Sequence, residues 1–129
     1  MVSFFLVIVI ALTASCKKDY DYRDQFTGTY YCEYMMISRT IDIVGDTAIF
    51  DTLCNSNVPF TVTKSEHPNK LTILGTDVVV NTDGSLEHTY DPIWYRWYIE
   101  GKFISGDTIH IKRFDGKLSW IVQYWDGRK

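Results

Sequence analysis

The chain has 129 residues, of which 46% are hydrophobic, 22% charged and 16% aromatic. This is the size and apolar content of one globular domain, which excludes disorder; three prolines and eight glycines exclude collagen-like or proline-rich repeats. A formal net charge of -3 excludes the basic footprint of a nucleic-acid binder.

Met1 to Ser15 carry no charged side chain, and Phe4 to Leu12 (FFLVIVIAL) are unbroken apolar sequence. A bilayer span takes about 20 such residues. The run therefore has the length of a signal-peptide h-region, and small Thr13, Ala14 and Ser15 follow it. After Cys16 the chain turns abruptly polar, Lys17-Lys18-Asp19-Tyr20-Asp21. The stretch Leu12-Thr13-Ala14-Ser15-Cys16 resembles the lipobox of bacterial lipoproteins. That resemblance implies a signal peptide over residues 1–15, cleavage before Cys16, a diacylglycerol on the Cys16 thiol and a fatty acyl chain such as palmitate on the new amino end. Each buried CH₂ adds about 0.8 kcal/mol of membrane affinity, so two or three chains hold almost permanently. Lys17, in place of an inner-membrane retention aspartate, implies an outer-membrane lipoprotein on the periplasmic or surface-exposed face. Residues 16–25 read as a tether, with one helical turn at Asp21 to Phe26.

With Cys16 lipidated, Cys32 and Cys54 remain, and an even remainder in an exported protein reads first as a disulfide. Residues 28–38 and 47–54 read as strands around the turn signal Val44-Gly45-Asp46. A hairpin centred near Ile43 sets Cys32 opposite Cys54, close enough for a bridge of roughly 3 kcal/mol. The alternative is two buried free thiols.

From there apolar or alternating runs are punctuated by turn residues every eight to twelve positions, the all-β pattern. Phe60 to Lys64 and Leu71 to Leu74 are short strands. Asn81-Thr82-Asp83-Gly84 joins Val78–Val80 to Ser85–Glu87. Ile93, Tyr95, Trp97, Ile99, Gly101 and Phe103 alternate with Trp94, Arg96, Tyr98, Glu100 and Lys102, which is period two. A three-residue loop at Ser105-Gly106-Asp107 pairs Phe103 with Ile109 and Gly101 with Ile111, and Gly101 then leaves room for Trp120. Asp115-Gly116 is a type I′ hairpin signal that pairs Ile111 with Trp120 and Ile109 with Val122. The sum is a small antiparallel up-and-down meander of about eight strands over residues 26–129, closed into a barrel or folded as a β-sandwich.

Phe26-Thr27-Gly28-Thr29-Tyr30 at the head of such a meander resembles the lipocalin-like barrels. With Gly106-Asp107-Thr108-Ile109 and the closing Tyr124-Trp125-Asp126-Gly127-Arg128-Lys129, it is similar to small lipocalin-like lipoproteins. The resemblance implies a non-enzymatic, membrane-anchored barrel that binds a small apolar ligand or serves as an envelope scaffold. The expected lining is Tyr95, Trp97 and Trp120, with Arg113 at the mouth as an anion holder or a rim ion pair. Trp94 and Tyr98 fall on the opposite face as an aromatic patch for a protein, glycan or lipid. Tyr30-Tyr31-Cys32 also resembles the Tyr-x-Cys of the C-type lysozyme inhibitors, which implies a protein-binding inhibitor as the alternative. No phosphate loop, GxSxG elbow, HExxH helix or CxxC pair is present, so no cofactor, metal or catalytic residue is expected. His88 across from Asp77 is the nearest approach to a catalytic pair, and His110 falls on a solvated face.

Overall fold

The computed structural model describes residues 19–42, 44, 47–90 and 96–129, with the backbone alone at 89 and 90. The expectations for the signal peptide, Cys16, Trp94 and Tyr95 fall outside the described residues. A single 3-10 turn, Tyr22–Gln25, leads into eight strands. They are β1 (Gly28–Asp42), β2 (Thr47–Lys64), β3 (Lys70–Ile73), β4 (Thr76–Val80), β5 (Ser85–Tyr90), β6 (Arg96–Ile104), β7 (Thr108–Gly116) and β8 (Trp120–Arg128). Each pairs antiparallel with the next, and β8 returns to β1, so the sheet is an up-and-down ring rather than a sandwich.

Alternation fills one end of the ring. Tyr30, Leu71, Ile73, Val78, Ile99 and Ile109 are fully buried, and Phe26 stacks on Phe103 at 4.8 Å to plug the end where the chain enters. Arg23, from the 3-10 turn, donates through Nη1 to the carbonyls of Ser65, His67 and Lys70 (3.1, 2.6 and 3.0 Å) and so holds the β2–β3 loop over that end. Tyr22 adds a hydroxyl bond to the Val80 carbonyl at 2.9 Å.

Three registers decide the rest. The β6–β7 hairpin has the expected pairs, Phe103 with Ile109 and Gly101 with Ile111. Its glycine has a different reason: a Cβ at Gly101 would strike the His110 carbonyl, and Trp120 is not its neighbour. The β7–β8 hairpin does not turn at Asp115-Gly116. Strand β7 runs through Gly116, which pairs with Trp120, and Lys117 to Ser119 form the loop, closed by a 2.9 Å bond from the Lys117 N–H to the Ser119 carbonyl. Ile111 therefore faces Trp125 and Ile109 faces Gly127. The register moves by an odd number of residues, which turns Trp120 to the outer face and Trp125 inward.

The β1–β2 hairpin overturns the disulfide. The hairpin closes between Asp42 and Thr47, three residues out of the expected register, so Cys54 lies opposite Met35; a bulge between Cys32 and Tyr34, with Asn57 at φ 57°, adds one residue more and sets Cys32 opposite Val58. Cys32 points into the core and is buried, whereas Cys54 is exposed on the outer face, and both are free thiols. Strand β2 is also one long element, where two separate strands were expected.

Wall height is uneven. β3 stops after four residues because Leu74 and Gly75 take positive φ (51° and 76°), the backbone of a tight I′ turn. β2 meets β3 only at Val62–Lys64 and past that turn, among the described residues, has a strand on its β1 side alone. The ring therefore has a notch above the β3–β4 turn.

Candidate functional site

The notch opens a groove of about 480 Å³. Its floor is aromatic. Trp125 lies between Tyr34 and Phe60, with ring centroids 5.2 and 5.4 Å away. Trp125 and Phe60 are nearly inaccessible to solvent, 6% and 3% exposed, so the floor is a core surface seen through the gap. Leu74 and Gly75 of the turn form one lip; Val58, Pro59 and Thr61 of β2 form the other. Asn55, Thr63 and Thr72 supply hydrogen-bonding groups at the rim. A few polar groups around an apolar bed, in this volume range, are the makings of a small-molecule site.

Beyond Trp125 the ring interior turns polar. The pairings place His88, Ile99, Arg113, Gln123 and Met36 in one row around β5, β6, β7, β8 and β1. Gln123 donates to the Tyr34 hydroxyl at 2.8 Å, which fixes the ring that walls the groove. Trp97 has His88 edge-on at 4.9 Å and the Arg113 guanidinium over it at 5.7 Å. Arg113 pairs with Asp115 at 3.3 Å, the rim ion pair among the two expected roles, while its Nε is buried and lacks a hydrogen-bond partner among the described residues.

Of the expected lining residues, Trp97 and Arg113 come together and Trp120 does not join them. Trp120 lies outside, 6.4 Å from Phe114 and 6.3 Å from Phe50. Tyr98 stacks on Phe114 at 5.3 Å beneath the Lys112 ammonium, so an outer aromatic row exists, built with Trp120, which was expected inside, and with Phe50 and Phe114, which the sequence did not single out. The groove residues Tyr34, Phe60 and Leu74 were missed because their grouping comes from the short β3. Trp125 entered the sequence reading within the closing Tyr124–Lys129 stretch.

The candidate catalytic pair separates. Asp77 accepts from Ser65 Oγ (2.6 Å) and Thr72 Oγ1 (3.0 Å), which hold its carboxyl below the usual range, while His88 lies against Trp97. His110 pairs with Asp126 at 2.5 Å on the exposed surface. Burial pushes the Cys32 thiol up to about 11, which leaves it protonated and unreactive at neutral pH. Among the described residues, no group of three or more His, Cys, Asp or Glu side chains is arranged to hold a metal ion. No protein-family model, curated protein or solved structure matches this chain.

Proposed function

We propose that this chain is a non-enzymatic lipoprotein of the bacterial cell envelope, tethered through Cys16, whose lipocalin-like barrel takes up a small apolar molecule in the groove over Trp125. The observation that carries the reading is the groove itself. An aromatic bed of Tyr34, Phe60 and Trp125 lies at the base of a groove beside a wall cut short at Leu74-Gly75. The Tyr22–Gln25 turn packs on the β2–β3 loop, at the filled end, whereas the β3–β4 turn that lips the groove is at the other end. A membrane anchor preceding Tyr22 would thus leave the groove facing away from the bilayer.

The test is titration of the folded chain with hexadecanoic acid, read by the emission of the buried tryptophan. Saturable quenching is expected in the wild type and in Trp120→Ala, which alters the outer face. Val58→Trp, which fills one lip, should weaken uptake at least tenfold, or about 1.4 kcal/mol. Equal binding by the two variants, or none by the wild type, would refute the reading. The tether is tested separately by the intact mass of the membrane-extracted chain: an unmodified Cys16 thiol would end that half of the proposal.

A further inference from the structure

Strand β2 carries, among the described residues, an unprotected edge. Among the described residues, Ala48–Thr61 meet a strand on the β1 side only, since β3 reaches no further than Val62. The amide of Thr52 shows what this leaves. It donates to the carboxylate of its own neighbour Asp51 at 2.9 Å, instead of to a strand. Folded proteins guard such edges with lysines, inward charges or shortness. Here the bulge and Pro59 interrupt the lower part, but Ala48–Asn55 has one charge, Asp51, and no lysine. The same stretch exposes Ile49, Phe50 and Leu53 at 57%, 63% and 46%, Phe50 on the outer face and Ile49 and Leu53 on the other. Large apolar side chains flanking an open edge on both faces mark it as an interaction surface.

We infer that two copies of this chain associate through β2, edge to edge and antiparallel about a twofold axis normal to the sheet. Such an axis keeps each face on its own side, so Phe50 of both copies lies on the outer face. It presents the same strand, uncharged but for Asp51, to itself, and any centre other than Asp51 sets that carboxylate against an uncharged residue. An edge of eight residues is about 26 Å long and about 10 Å deep, which is roughly 250 Å² per copy. Covering the exposed parts of Ile49, Phe50 and Leu53 adds roughly as much again. The total is then about 1,000 Å² over both copies, the lower bound for a specific interface, and the dimer is accordingly concentration-dependent.

Sedimentation of the full chain, extracted in mild detergent, should show a monomer–dimer equilibrium. A bismaleimide long enough for roughly 15 Å should join two copies through the exposed Cys54, and Cys54→Ser should abolish the link. Thr52→Pro removes the amide that faces away from β1, and Leu53→Lys places a charge on the edge; each should shift the chain to monomer with its circular dichroism unchanged. A chain that stays monomeric to about 100 μM without a Cys54 link overturns the inference. So does a dimer that survives both folded variants, or a Cys54 link found only to a different protein.

Discussion

A single guanidinium ties the β2–β3 loop over the filled end. Arg23 binds three backbone carbonyls of the β2–β3 loop and is clamped by Asp21, whose Oδ2 lies 2.6 Å from Nη2. Arg23→Ala leaves those carbonyls without their donor, and the thermal midpoint should drop by roughly 10 °C. The same contact makes stability depend on pH. Its hydrogen bonds from Arg23 hold the Asp21 carboxyl well below the ordinary carboxylate range, and bonds from Ser65 and Ser85 lower Asp77 and Asp83. A depressed carboxyl stabilises the fold fully above its unfolded value and loses that contribution as pH falls. The midpoint should be flat from neutrality to about pH 5 and fall below about pH 4. Asp77→Asn should make the fall shallower, as read by thermal melts across pH. The two thiols give a third residue-scale outcome: peptide mapping after iodoacetamide should find Cys54 alkylated in the folded chain and Cys32 only after unfolding, because burial keeps Cys32 protonated.

Strand registers were legible where one hairpin decided them alone. The β6–β7 pairing followed from the Ser105-Gly106-Asp107 loop and the alternation on either side. The β7–β8 pairing did not, because β8 must also satisfy β1. Gly127 opposes Cys32, and a Cβ there would collide with the Cys32 sulfur and the Tyr31 carbonyl; the register that brings the glycine to that point also turns Trp125 inward. Asp115-Gly116 is a good local turn that ring closure overrules. Gly127→Ala should therefore destabilise by about 1–3 kcal/mol, as an overpacked contact does, measured by urea unfolding. The disulfide expectation failed mainly at the turn: the hairpin closes between Asp42 and Thr47, which alone carries Cys54 three residues past Cys32 to Met35. A bulge then adds one residue more to one strand only, and nothing local in Asn55-Ser56-Asn57 announces where it falls.

Across the whole molecule, packing and binding occupy different ends. Ile109 is fully buried at the filled end, so Ile109→Ala should cost about 2–5 kcal/mol while leaving hexadecanoic acid uptake at its wild-type midpoint. Val58→Trp should do the reverse, since Val58 is half-buried on the groove lip and its larger ring enters open space. Loss of uptake in both variants would mean the groove is not separable from the core.

The sequence by itself determined an all-β chain, about eight strands, the up-and-down order and several turn positions. Period-two alternation and turn chemistry are local properties, readable over a few residues. Only the tertiary structure decided which rings face inward, where Cys32 and Cys54 lie, and that a groove exists at all. Those depend on closure: each strand in a ring has two neighbours, its register must suit both, and a wall of one short hairpin leaves its gap only against the long strand beside it.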